Sequence, residues 1–352
     1  MLFNLKGVIQ SMCIENDPYV IDLRSQLARL PAGEQRNRVD QRLSKTLHKE
    51  DTFSHKGLRD FGRTAEDICA ELGPWAADWY IVSILELARQ EANLHTGVMA
   101  SWQDREKRYL LSLISQVQIH PVSYDPDDIQ AGISDKVREF LKCLRSEERD
   151  SRSQEDPFSC IVFVTRRDAV LTLSKIMSSF PDMQERFQIG CLLGQSQSFK
   201  RHAFLDISRA LLKDDATNTL QAFRSGEKNV LVATAVAEEG LDIQACGTVI
   251  RFNPPENMVA WAQSRGRARK RRSTFIVMLG NDPDAADKLR QWQELEREMV
   301  KLYTDPTRVS ESLEDNSIEE DPLEYVHETT GYVIHVLLPR SHSCSITLLA
   351  RS

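Results

Sequence analysis

From Asp17 to about Lys142, apolar residues recur at three- and four-residue spacing, and the chain reads as helix almost throughout. Ile68, Leu72, Trp75, Trp79 and Val82 share one candidate face. Further periodic runs surround Leu110, Leu113, Ile114 and Val117, and then Val137, Phe140, Leu141 and Leu144. Pro31 to Gly33, Gly73 with Pro74, and Pro121 to Pro126 supply the turns. The pattern predicts a short N-terminal segment over 1–16 and an all-α bundle over 17–145. The helical spacing of Trp75 and Trp79 marks them as core residues rather than base-stacking platforms.

The periodicity then changes. A polar segment, 146–157, precedes the short apolar run Ile161 to Val164. Beyond it, strand-like runs at 188–192, 230–232, 248–250 and 274–278 alternate with helical runs at 168–179, 199–212, 216–224 and 258–265. Such alternation predicts an α/β unit over 158–304, a parallel sheet with helices on both faces. An amphipathic helix from Asp284 to Tyr303 closes it, with Lys288, Arg290, Glu294, Glu296 and Lys301 on its charged face. The remainder, 305–352, opens as an acidic, turn-rich linker or strap. The roughly 20 residues after Thr330 are too few for a domain.

The chemistry gathers at the ends of these strands. Open α/β sheets bind ligands beyond the carboxyl ends of their strands, where Thr234, Gly240, Asp242 and the row Arg265, Arg267, Arg269 are expected. Gly240 would allow close backbone approach, and Asp242 offers acceptors for ribose hydroxyls or a helix cap. Thr165, Arg166 and Arg167 place a hydroxyl and two cations where strand turns to helix, an arrangement suited to phosphate. Lys200 and Arg224 are further candidate cations, each competing with the plainer reading of a solvated surface charge. The basic run from Arg269 to Arg272 also reads as a solvated turn or a nuclear-localisation-like segment. Glu238 and Glu239 are not taken as an acid/base pair, because adjacent residues leaving a strand point apart.

Composition narrows the partners. The 352 residues are 41% hydrophobic and 28% charged, an ordinary globular balance, with a formal net charge of −7. A uniformly polybasic coat is thereby excluded, so any nucleic-acid contact must be a local basic patch. Seven cysteines occur without a C-x-x-C pair, which favours a reducing compartment and no zinc site. No apolar run nears the roughly 18 residues that span a bilayer. The expectation is a soluble intracellular protein without a membrane partner, cytoplasmic or alternatively nuclear.

The stretch from Ala235 to Cys246, with Asn253 to Pro255 and Gln263 to Arg269, resembles motifs V and VI of superfamily 2 helicases, in the form found in fungal Dicer-like proteins. Cys160 to Asp168 resembles motif IV of the same family. The resemblance implies a RecA-like second helicase lobe preceded by a helical insertion, serving RNA silencing and antiviral defence. It implies that Arg267 and Arg269 cross a lobe interface to the γ-phosphate of ATP, with Gln263 beside them, and that Gly240 and Asp242 approach the nucleotide. Thr165, Arg166, Lys200, Arg224 and Thr234 would meet RNA, and the insertion would grip double-stranded RNA through outer cations such as Arg24, Arg29, Lys56 and Arg59. The chain has neither a G-x-x-x-x-G-K-[ST] loop nor a D-E-x-H motif, and no ribonuclease III signature. ATP would thus be shared with a first lobe supplied in trans, magnesium would come only through that lobe, and the chain would not turn over ATP alone. Alternatives are a stand-alone RNA- or protein-binding module and a truncated gene fragment.

Overall fold

A computed structural model describes residues 1–94, 104–153, 157–193, 216–234, 246–268, 273–279, 285–303, 333–340 and 343–349. They fall into two compact units.

The first unit comprises Met1–Ser134 with Asp168–Gln184. It holds α1 (Leu2–Ser11), α2 (Pro18–Arg29), α3 (Glu34–Lys49), α4 (Phe53–Leu72), α5 (Pro74–Leu94), α6 (Asp104–Ile114) and α7 (Pro126–Gly132). Helix starts follow local chemistry: Asp17 and Asp125 cap helices that begin with proline, and the Thr52 hydroxyl caps α4. Ile68, Leu72, Trp75 and Trp79 are all buried, as their spacing predicts. The indole of Trp75 donates to the Ser123 carbonyl at 2.7 Å.

The turn between α4 and α5 requires glycine. Gly73 has φ +107°, and a Cβ there would stand 2.5 Å from the Gly132 carbonyl oxygen and 2.7 Å from both the Ile133 Cα and the Ser134 nitrogen. The same corner is held by Ser134, whose N–H donates to Leu72 O at 2.9 Å and whose hydroxyl donates to Glu71 O at 2.7 Å. Gly73→Ala therefore combines left-handed strain, about 1–3 kcal/mol, with a clash against backbone that cannot yield. A urea midpoint clearly below that of the parent is the expected result.

A buried polar network ties α2, α4 and α6. Asp17 accepts from the Thr52 hydroxyl at 2.8 Å and from Tyr19 N–H at 2.9 Å, and His55 Nε2 stands 3.0 Å from the Tyr109 hydroxyl. Burial holds the His55 imidazole below its ordinary range; Arg59 adds to this, while Asp17 and Glu50 oppose it. Burial pushes the Tyr109 phenol up to about 12. A histidine with a lowered folded-state pKa favours the fold in its neutral form. That stability is present above the ordinary value of 6.5 and is lost as pH falls below it toward the folded pKa. The melting temperature should drop between pH 7 and 5, and the drop should be shallower in His55→Gln.

Of the outer cations expected to meet RNA, Arg24 pairs with Glu15, Lys56 with Asp51 at 3.6 Å and Arg59 with Glu50 at 2.5 Å. These three are engaged within the protein rather than held out for phosphate.

The second unit comprises Asp135–Arg167, Glu185–Gly194 and the chain from Ala216. Helix α8 runs from Asp135 to Ser153, so it takes in most of the polar segment read from sequence as a linker. The cause is helical charge pairing: buried Glu148 bridges Arg152 at i+4 and also reaches Arg186. Then come β1 (Cys160–Val164), α9 (Arg167–Met177), α10 (Pro181–Arg186), β2 (Ile189–Leu192), α11 (Ala216–Ser225), β3 (Val230–Thr234), β4 (Thr248–Arg251), α12 (Met258–Arg265), β5 (Thr274–Met278) and α13 (Ala285–Tyr303). Residues 168–184, read from sequence as part of this α/β unit, cluster with the helical unit instead. There the Tyr80 hydroxyl approaches Asp168 at 3.5 Å and Lys175 lies 4.8 Å over the Tyr124 ring. The helical run expected at 199–212 lies outside the described residues.

The strands order as β2-β3-β1-β4-β5, all parallel, continuing into β6 (Val333–Arg340), parallel to β5, and an antiparallel β7 (Ser343–Leu349). The final residues thus extend an existing sheet rather than forming a domain. Strands β1, β3 and β4 are buried along their whole length, the mark of a parallel sheet covered on both faces. One face packs Ile161, Phe163, Leu231, Val249 and Phe275 against Phe223, Trp261 and Leu289 of the helices. On α8, Phe140 meets Phe252 edge-on at 5.6 Å.

Candidate nucleotide and nucleic-acid interface

Strands β1, β3 and β4 end nearly level, with Val164 paired to Thr234 and Phe163 to Arg251. The chain leaving β4 then folds over the end of β1. Phe252 N–H donates to Phe163 O at 2.9 Å, and Asn253 Oδ1 accepts from Thr165 N–H at 3.0 Å. Arg251 is 4% exposed and acts internally: its guanidinium donates to the carbonyls of Asn253 and Ala260, both at 3.3 Å, and lies 5.7 Å over the Phe163 ring. A buried charge of this kind is tolerated because its donors are used. It pins the loop that leads into α12.

Thr165 is exposed and Arg166 half-buried at this carboxyl edge, whereas Thr234 is only 3% exposed. Of the two threonines expected to meet phosphate, only Thr165 presents its side chain to solvent. Thr234 stands in its strand pair as buried support.

Helix α12 carries the second group. Asn257 caps it, its side chain accepting from Ala260 N–H at 2.9 Å. Trp261 is fully buried, edge-on to Phe275 at 5.2 Å, and its indole N–H donates to Glu296 at 3.0 Å. Arg265 forms an ion pair with the same Glu296 carboxylate. Glu296 therefore faces the core of the unit rather than lying on the charged face assigned to it from sequence. Arg265 likewise is spent on Glu296 and is not part of an open arginine row.

Past the helix, the backbone at Arg267 is held on both sides. Its N–H donates to Ser264 O at 3.1 Å, and its carbonyl accepts from Cys246 N–H at 3.0 Å. Ala268 forms a parallel bridge with Cys246, and its carbonyl accepts from the Ser273 hydroxyl at 3.0 Å. Ser264, fully buried, donates to Ala260 O at 2.6 Å. The Arg267 side chain is half-exposed on this fixed mount, and Gln263 is half-exposed on α12.

Position corrects one expectation. Cys246 precedes β4, so Arg265 and Arg267 lie at the amino ends of the strands, not at the carboxyl edge with Thr165 and Thr234. The helix α12 runs back along the sheet before β5 begins, and five strand residues separate the edges by about 16 Å. Arg224, at the end of α11 just before β3, is likewise carried to the amino side and away from Thr165. Gly240, Asp242, Arg269, Lys200, Glu238 and Glu239 lie outside the described residues.

The amino edge also holds an unusual acid. Glu147 of α8 accepts from the Thr248 hydroxyl at 3.4 Å. Burial pushes its carboxyl above the usual range, opposed by its hydrogen bonds with Thr274 and Thr248. Burial also pushes the Cys143 and Cys160 thiols up, so neither is a thiolate nucleophile at neutral pH. Among the described residues, no three His, Cys, Asp or Glu side chains gather to hold a metal.

The sequence reading gives no role of their own to Asn253, Arg251 and Ser264, and it places Glu296 on a charged face. Asn253 sits in the motif before two prolines and could have been singled out there. Glu296 acts through Trp261 and Arg265, and Arg251 through the Ala260 carbonyl and the Phe163 ring, contacts that no local pattern reveals, whereas Ser264 bonds within its own helix and turn.

A parallel sheet with polar strand ends, followed by a basic turn on a clamped mount, fits a helicase C-terminal lobe. Residues 135–271 match the helicase conserved C-terminal domain family, starting at the first residue of α8. Over the segment they share, the chain is homologous to fungal Dicer-like proteins. It is 33% identical over 330 residues to Dicer-like protein 2-1 of Aspergillus niger, covering 92% of this chain and 22% of that protein. Dicer-like protein 2 of Cryphonectria parasitica is 32% identical over 346 residues, with 97% and 22% covered. Dicer-like protein 2 of Aspergillus fumigatus is 34% identical over 339 residues, with 95% and 23% covered. The chain thus spans under a quarter of the length of these relatives. Among solved structures, the helicase domain of Pyrococcus furiosus Hef gives a TM-score of 0.36 at 17% identity, covering 82% of this chain and 55% of that one. No helix among the described residues is long and apolar enough to cross a membrane.

Proposed function

We propose that this lobe forms one wall of an ATP site and one grip on double-stranded RNA, in the RNA-silencing role that its resemblance to Dicer-like proteins implies. The observation that carries the reading is the Arg267 mount, both peptide groups of the residue being hydrogen-bonded while its side chain stays half-exposed. A guanidinium that is to stabilise a phosphoryl group in transfer must be held before the reaction rather than recruited during it. Arg267 fills that role toward a nucleotide whose phosphates and magnesium are held by a lobe carrying a phosphate loop. Arg269 and Gln263 would stand beside it, and Gly240 and Asp242 would approach the ribose.

The carboxyl edge takes the other task. Thr165 and Arg166 meet RNA phosphate there, fixed by the Asn253 bond and supported by Thr234. The separation of the two edges supports separate contacts to nucleotide and nucleic acid. The test is binding of duplex RNAs of unrelated sequence to the purified chain. Affinity is expected to be equal across sequences, since A-form duplex is read by shape and backbone, and to weaken in Thr165→Ala. Binding that depends on sequence, or that ignores Thr165→Ala, overturns the assignment of this edge.

A further inference from the structure

Helix α12 leads from the carboxyl edge of the sheet to the arginine mount, and a continuous set of hydrogen bonds runs with it. Thr165 N–H donates to Asn253 Oδ1 at 3.0 Å. The Asn253 carbonyl accepts from Arg251 Nε at 3.3 Å, and Nη1 of the same guanidinium donates to the Ala260 carbonyl, also at 3.3 Å. That carbonyl, in the first turn of α12, also accepts from the Ser264 hydroxyl at 2.6 Å. Ser264 O in turn accepts from Arg267 N–H at 3.1 Å. The eight residues of α12 span about 12 Å, so a peptide at one set of strand ends is joined to a side-chain mount at the other.

Arg251 is the crossing point of this set. It is buried, and a guanidinium taken out of water is costly unless its donors are satisfied. An apolar side chain of similar volume would fill the space between Phe163 and α12 without that cost. What an apolar side chain could not do is fix the distance between two carbonyls, one in the loop that holds Thr165 and one in the helix that carries Arg267. The planar fork of arginine does so, and the single ammonium of lysine does not. Further bonds stiffen both ends: Asn257 caps α12 through Ala260 N–H at 2.9 Å, and Cys246 N–H holds the Arg267 carbonyl at 3.0 Å.

We infer that Arg251 is a positioning residue, through which RNA phosphate bound at Thr165 and Arg166 sets the place of Arg267. The inference rests on the functions proposed for the two edges and deepens them by naming the residue that joins them. A phosphate drawn to the peptide at Thr165 acts on the Asn253 side chain bonded to it. Every further step to Arg267 is a bond to a backbone carbonyl rather than to a mobile surface side chain. Buried as it is, Arg251 touches neither nucleotide nor RNA in this role. Its effect falls on the rate of turnover when RNA is bound, and not on the affinity for either ligand.

The experiment compares the parent with Arg251→Lys and Asn253→Ala, which break the same set of bonds at a buried charge and at a half-buried side chain. Thr165→Ala is added because it removes the hydroxyl offered to RNA and keeps the peptide bonded to Asn253. Circular dichroism and a urea midpoint confirm that each variant is folded. Hydrogen–deuterium exchange of the full chain is followed over residues 257–268 with and without a saturating blunt RNA duplex. Duplex-stimulated ATP hydrolysis is followed after mixing with a phosphate-loop lobe from a Dicer-like relative. In the parent, the duplex is expected to slow exchange over 257–268. In Arg251→Lys and Asn253→Ala that slowing should vanish and stimulation of hydrolysis by the duplex should fall about fivefold or more, with RNA affinity and the KM for ATP unchanged. Slowed exchange and full stimulation in both variants overturns the link and leaves the two edges standing. Loss of RNA affinity in step with stimulation also overturns it, because that is loss of structure, and so does a parent in which the duplex binds without effect on residues 257–268. A parent mixture with no hydrolysis, or RNA affinity untouched by Thr165→Ala, overturns the assignment of the edges themselves and the link with them.

Discussion

Arg267→Ala is expected to reduce ATP turnover by about 10³ to 10⁵ in a mixture of this chain with a phosphate-loop lobe from a Dicer-like relative, while leaving duplex-RNA affinity unchanged. The magnitude follows from what an arginine in this position does. In the proposed role it would neutralise charge on the transferring phosphoryl group, and its worth would depend on being fixed before the reaction begins. The mount supplies that fixity through Ser264 and Cys246, at 3.1 and 3.0 Å. Arg267→Lys should recover little, because an ammonium cannot reproduce the planar fork of a guanidinium. The separation of effects is part of the expectation, because Arg267 lies at the opposite strand ends from Thr165. Equal loss of turnover and RNA binding would count against the assigned role. Steady-state hydrolysis and a binding titration on the same preparations decide the matter.

Trp261→Ala should destabilise the α/β unit by about 3–5 kcal/mol, a large share of the roughly 5–15 kcal/mol that holds a domain folded. The side chain is fully buried, with ring contacts to Phe275 at 5.2 Å and to Trp292 at 5.8 Å. Removing it leaves a cavity between sheet and helices and deprives Glu296 of an indole donor. Because Trp261 anchors the helix that precedes the arginine mount, the same variant should lose function before it loses the fold. Trp261→Phe keeps most of the packing and should cost less. Urea denaturation of the three proteins gives the order parent, Phe, Ala in decreasing midpoint. An Ala variant as stable as the parent would mean that α12 is not anchored through this residue.

Much of the architecture was legible because burial on both faces leaves a plain mark. The runs Ile161 to Val164, Val230 to Val232 and Thr248 to Ile250 could be read as strands since each is apolar without alternation, and the structure places all three in the sheet. Trp75 and Trp79 were readable as core from their helical spacing. What could not be read was direction across the sheet. Arg265 and Arg267 follow β4 closely in sequence, yet an eight-residue helix is long enough to return the chain to the opposite strand ends. Nor could partners be read: Glu296 looks like surface charge until α13 turns it toward Trp261 and Arg265. The continuation of α8 through a segment rich in charge was hidden for a related reason, since Glu148 finds Arg186 from a later helix. Cations of the helical unit show the same limit, because only the fold distinguishes Arg59, paired with Glu50, from Lys45, which has no such partner among the described residues.

The most direct test of the lobe's role is a titration of a separately expressed phosphate-loop lobe with this chain, following ATP hydrolysis in the presence of duplex RNA. Turnover is expected to rise with added chain, to saturate near equal stoichiometry and to depend on Arg267. Binding of RNA by both proteins with no gain in hydrolysis at any ratio would contradict it.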